Sequence, residues 1–71
     1  MTDYTRMVFD LLRAAGAPDA QERAAIYEKC RKEVAEAHTE PQARTDALER
    51  LEKVIRRQEM QAIYEDTLRV R

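Results

Sequence analysis

The chain holds no serine and no tryptophan, one glycine, one cysteine, one histidine and two prolines, and aromatics make up only 6% of its residues. Each scarcity removes a class of explanation. A single thiol cannot staple the chain to itself, and Cys30 and His38, eight positions apart with no second cysteine, cannot complete a structural zinc site. No serine nucleophile exists, and with glycine confined to Gly16 no glycine-rich loop can cradle a phosphate. No run approaches the roughly 20 apolar residues that a membrane span needs, and the first residues lack the basic-then-apolar order of a secretory signal. The expectation is a cytoplasmic protein without membrane insertion, metal or cofactor.

What is present is charge and helix-forming residues. Of 71 residues, 38% are charged, and the net charge is only -1. Acids and bases alternate, so no global field draws the chain to nucleic acid or to an anionic membrane. Apolar residues recur at helical spacing, which a solvated, disordered chain has no reason to keep. The reading is all-α: one helical domain over residues 1–71 with three helices at about 2–15, 18–37 and 40–68, and with residues 69–71 frayed. A chain this short buries a small core, so oligomerisation is expected to complete the bundle or helical hairpin, most simply as a homodimer.

The first helix reads from Thr2, as N-cap, with Asp3 favoured by the helix dipole and Gly16 as the left-handed C-cap. Tyr4, Met7, Val8, Leu11, Leu12 and Ala15 form one stripe, from which Phe9 is turned aside. Pro18 is expected in the first turn of the second helix, and Asp19 with Glu22 resembles a capping box. Ile26, Tyr27, Cys30, Val34 and Ala37 share a face there, with Asp19/Arg23 and Glu28/Lys32 as exposed i, i+4 pairs. For the third helix, Thr39 with Gln42 has capping-box spacing, with Thr45 or Asp46 as alternatives, and Pro41 falls in the first turn. Glu49/Lys53 and Glu52/Arg56 are expected to pair along its surface.

The third helix carries two apolar sides. Leu48, Leu51, Val54, Ile55 and Ala62 share one stripe with Gln58, whereas Met60, Ile63, Tyr64 and Leu68 lie rotated from it. At about 1.5 Å per residue the first helix is roughly 20 Å long and the third roughly 40 Å, so part of the third is left without an intrachain neighbour. Either the residues after Glu59 fray, or a second copy or partner helix covers Met60, Ile63, Tyr64 and Leu68; Phe9 is a candidate for the same surface and equally for filling the bundle from an unexpected angle.

The segment Arg23-Ala-Ala-Ile-Tyr-Glu28, continuing through Arg31 and Val34, and the segment from Ala47 to Glu59 together resemble a short helical module of uncharacterised alphaproteobacterial proteins. In that module I-Y-E-x-x-R is followed by a proline-containing link and by L-E-x-x-I-R-x-x-E. The resemblance spans Glu22 to Glu59, with a shorter link that lacks a double proline. It implies helices and a bacterial cytoplasm or cytoplasmic face, and brings no activity, cofactor or catalytic residue.

Catalysis finds no support in the remaining residues. Cys30 sits on an apolar stripe, where a thiol acts as a small hydrophobe, and His38 falls at a helix end, where the ring commonly meets the last carbonyls. Glu33/Glu36, Glu49/Glu52 and Glu65/Asp66 lie among Lys and Arg on wet faces, where carboxylates stay ordinary. The expected function is therefore a non-enzymatic protein-protein interaction or assembly module, self-associating and presenting a helical face to an unidentified protein partner. The alternative is a small regulator that binds nucleic acid or a transcription protein through Lys53, Arg56 and Arg57, with Arg69 and Arg71 beyond. The carboxylates interleaved with those bases, Glu49, Glu52, Glu59 and Asp66, weigh against nucleic acid.

Overall fold

A computed structural model describes residues 4–69 and places three helices: α1 (Tyr4–Ala14), α2 (Ala20–Ala37) and α3 (Pro41–Arg69). The fold is all-α with a long third helix, as the periodicity requires. The expected cap Thr2, the adjacent Asp3 and the terminal residues 70 and 71 lie outside the described residues, whereas Arg69 closes α3.

Local chemistry accounts for the helix ends. Gly16 follows α1 at φ 82°, its amide donating to the Arg13 carbonyl at 3.1 Å, which is the left-handed stop that a side chain disfavours. Asp19 caps α2 in a complete capping box: its carboxylate accepts from the Glu22 amide at 2.8 Å, and the Glu22 carboxylate accepts from the Asp19 amide at 3.2 Å. The helix thus starts at Ala20, and Pro18 stands just outside the first turn in which it was expected. At α3 the expected Thr39 box is replaced by Glu40, whose carboxylate accepts from the Gln42 and Ala43 amides at 3.2 and 2.7 Å. Pro41 decides this. A residue before proline is driven to extended backbone, which is N-cap geometry, so the cap falls on position 40 and not on 39. Thr45 donates back to the Pro41 carbonyl at 3.0 Å and caps nothing, and Asp46 accepts from Gln42 at 3.0 Å.

The three stripes meet in one core. Tyr4 and Val8 of α1, Tyr27, Cys30 and Val34 of α2, and Ala47, Leu51 and Ile55 of α3 are buried, with Met7, Leu11, Leu12, Ile26, Leu48 and Val54 packed around them. Leu51, Val8 and Cys30 are sealed completely. Ala15 and Ala37, at the ends of their stripes, are exposed, and Ala47 joins the α3 seam one helical repeat before Leu51.

Cross-helix ion pairs fix the register. Arg23 meets Glu59 and Arg31 meets Glu52, so α2 runs antiparallel to α3. The Tyr4 hydroxyl lies 3.4 Å from His38 Nε2, which sets the start of α1 beside the end of α2. His38 is the residue after α2, as expected, yet its ring turns to Tyr4 and its carbonyl accepts from Arg44 at 2.9 Å. The molecule measures 47 × 20 × 18 Å. At about 1.5 Å per residue α3 alone accounts for the long axis, so α1 and α2 lie against one side of a single rod.

Candidate functional site

The side of α3 turned away from the core carries the exposed apolar residues. Successive residues step by about 100°, so Met60, nine positions after Leu51, points opposite to it, with Tyr64 and Ile63 to either side. Met60 is 66% exposed, Tyr64 61% and Ile63 52%, and Leu68 and Phe9 are about half exposed. The helix is continuous through all four of its apolar residues.

Phe9 and Met60 border separate depressions of the surface. Phe9 borders a cleft of 330 Å³ between α1 and the second half of α3, floored by Leu12 and Ala62 and rimmed by Arg13, Gln58, Gln61 and Glu65. Met60 borders a different, shallow groove, which it shares with Gln61 and with the three bases Lys53, Arg56 and Arg57. The apolar surface and the basic surface, separate readings of the sequence, thus adjoin on one face of α3.

Three of the carboxylates interleaved with those bases, Glu52, Glu59 and Asp66, are turned toward α2, whereas Glu49 lies on the same side of α3 as Lys53. Glu52 takes a two-point contact from Arg31, at 2.6 and 3.0 Å, and Arg31 also reaches Glu28 at 3.4 Å. Glu59 takes two hydrogen bonds from Arg23, at 3.0 and 3.1 Å, while Asp66 lies 3.3 Å from the same guanidinium. The surface pairs expected at Glu52/Arg56, Glu49/Lys53, Asp19/Arg23 and Glu28/Lys32 are absent among the described residues. A bidentate Arg–carboxylate contact between helices gains more than a single-point contact along one helix, so Glu52 and Arg23 take their long-range partners.

Arg23 is the residue that the sequence pattern concealed. It is 4% exposed and donates to the Pro18 carbonyl at 3.0 Å as well as to Glu59. Its spacing from Tyr27, Cys30 and Val34 puts it on the buried stripe of α2, a signal visible beforehand only to a reader willing to bury an arginine. Hydrogen bonding to Glu59 raises its pKa further, and the same bond holds the Glu59 carboxyl below its usual range. Arg31 does the same for Glu52.

Burial pushes the Tyr27 phenol up to about 12 and raises the Cys30 thiol, so both remain protonated near neutrality. The two perturbed carboxyls, Glu52 and Glu59, are shifted down by arginine, which makes them poorer bases and keeps them ionised. Among the described residues no three His, Cys, Asp or Glu side chains gather as a metal site, and no helix is long and apolar enough to cross a membrane. Compared with protein-family models, curated proteins and solved structures, the chain matches none.

Proposed function

We propose that this chain is a non-enzymatic helical interaction module that works by laying the second half of α3 against another helix. The observation that carries the reading is the exposure of Met60, Ile63, Tyr64 and Leu68 along a continuous helix. Exposed methionine and aromatic side chains are types enriched at protein interfaces, and a rod with an apolar outer face suits helix-in-groove packing. In the isolated protein the same residues are expected to drive self-association, most simply as a dimer. The likeness of the two sequence segments to an alphaproteobacterial helical module supports a bacterial cytoplasm as its place of work.

Molar mass measured by light scattering across a wide concentration range tests this. The intact chain is expected to associate, and the paired substitution Met60→Ala with Tyr64→Ala, at sites more than 60% exposed, is expected to leave a monomer of unchanged helicity. Association that persists in the substituted chain overturns the assignment of the surface. A second reading, nucleic-acid binding through Lys53, Arg56 and Arg57, is favoured by the absence of ion pairs at those residues among the described residues. It predicts affinity that falls steeply with salt through counterion release.

A further inference from the structure

The fold sorts the charges of α3 by direction. Glu52, Glu59 and Asp66 face α2, held by Arg31 and Arg23 at 2.6 to 3.3 Å. Lys53, Arg56 and Arg57 lie within about 60° of the direction of Met60, on the arithmetic of 100° per residue, and so do Tyr64 and Ile63. None of the three bases forms an ion pair among the described residues. Between residues 53 and 64 the outward face therefore presents three cations that form no ion pair among the described residues, with Glu49 one turn before them, followed within three turns by three exposed apolar side chains.

We propose that this face docks an acidic amphipathic helix of another protein. The partner's apolar residues, at i, i+3, i+4 spacing, seat on Met60, Ile63 and Tyr64, and its carboxylates extend over Arg56, Arg57 and Lys53. This rests on the reading of the chain as an interaction module and names the chemistry of its partner. A second copy fits the same face less well. An antiparallel pairing that sets Met60 against Tyr64 of a second copy puts Arg56 and Arg57 opposite Leu68 and Thr67, with no carboxylate to meet them. Shifting the register until Lys53 and Arg56 meet Glu49 and Asp46 of the second copy moves Met60 to Gln42, beyond the apolar anchors. A parallel pairing sets cation against cation. Nucleic acid satisfies the cations and leaves the apolar triad unused, whereas an acidic helix satisfies both halves of the face.

The test uses the full chain and two labelled model helices of about 20 residues. Both carry leucine at i, i+3, i+4, i+7, one flanked by glutamate and the other by lysine, and a duplex oligonucleotide serves as a third probe. Fluorescence anisotropy is expected to show the acidic helix binding at least about tenfold tighter than the basic one, with affinity falling as salt rises. The triple substitution Lys53→Glu, Arg56→Glu, Arg57→Glu is expected to invert that preference. Met60→Ala with Tyr64→Ala is expected to weaken acidic-helix binding about fivefold or more, with helicity unchanged in both variants. Equal binding of the two helices overturns the acidic partner and leaves the module reading standing. An oligonucleotide that binds tighter than the acidic helix, indifferent to Met60 and Tyr64, overturns it in favour of nucleic acid. No binding to any probe, by a chain that stays monomeric at every concentration, overturns both readings.

Discussion

Removing either member of the Arg23–Glu59 pair should cost unequal amounts of stability, because the two charges are not equally wet. The Arg23 side chain is 4% exposed and that of Glu59 30%. Glu59→Gln keeps the shape and one acceptor oxygen but removes the countercharge from a guanidinium nearly out of water, leaving Asp66, itself 45% exposed, as its one carboxylate among the described residues beside the Pro18 carbonyl. Stranding one charge of a fully buried pair costs about 3–5 kcal/mol, and Asp66 and Pro18 offset part of it, so we expect about 2 kcal/mol. Arg23→Met replaces the buried charge by an apolar chain of similar length, and the carboxylate left behind can turn to solvent, so the expected cost is about 1 kcal/mol or less. Asp66→Asn should cost under about 0.5 kcal/mol, as exposed pairs do.

Urea denaturation followed by far-ultraviolet circular dichroism reads these differences. With a slope near 1 kcal/mol per molar urea for a small domain, Glu59→Gln should lower the midpoint by about 2 M. The double variant Arg23→Met with Glu59→Gln should recover part of that loss, giving a coupling energy of at least about 1 kcal/mol. If Arg23→Met proves costlier than Glu59→Gln, or if both fall below about 0.5 kcal/mol, the guanidinium is not the desolvated charge and the argument fails.

Four further outcomes follow from the same structure. Glu52 and Glu59 have depressed folded pKa values, so their stabilisation is complete above the unfolded carboxylate value of about 4.3 and is lost as pH falls below it; acid titration of the denaturation midpoint should show this, and Glu59→Gln with Glu52→Gln should flatten the limb. Tyr27, raised to about 12, works in the opposite direction: stability should fall between about pH 10 and 12, with one of the three phenols ionising late in near-ultraviolet absorbance. Glu40→Ala should cost about 1 kcal/mol in thermal or urea unfolding and Thr39→Ala almost nothing, the reverse of the order that a Thr39 cap requires. Cys30, fully buried, should resist a water-soluble thiol reagent until the chain unfolds, and labelling at the rate of a free thiol would place it at the surface.

What was legible in the sequence is what neighbouring residues decide. The stripe from Tyr4 to Leu12, the seam through Leu51 and Ile55, the capping box of Asp19 and the stop at Gly16 each depend on residues within two turns, and the pattern shows them directly. The exposure of Met60, Ile63, Tyr64 and Leu68 was legible for the same reason, through rotation per residue and the difference in helix lengths, whereas rotation alone left Phe9 open between this surface and the bundle. The Thr39 cap failed because its spacing to Gln42 is as good as the one used, and only the restraint of Pro41 on Glu40 separates them. Arg23 was misread as a surface charge and Glu52 was given the wrong partner because their partners lie 36 and 21 residues away, across a packing that local spacing does not encode.

The charge of the outer face is the clearest case of a property that belongs to the fold alone. Along α3 there are six acids and six bases, so the helix taken by itself is neutral and its charges look self-paired. Packing against α2 withdraws three of the six acids, Glu52, Glu59 and Asp66, to one side, because the guanidinium groups of Arg23 and Arg31 offer geometry that lysines and arginines on α3 cannot match from their own helix. What remains outward between residues 53 and 64 is basic and then apolar. The same two arginines that set the antiparallel register of α2 on α3 therefore also set which partner chemistry α3 can favour.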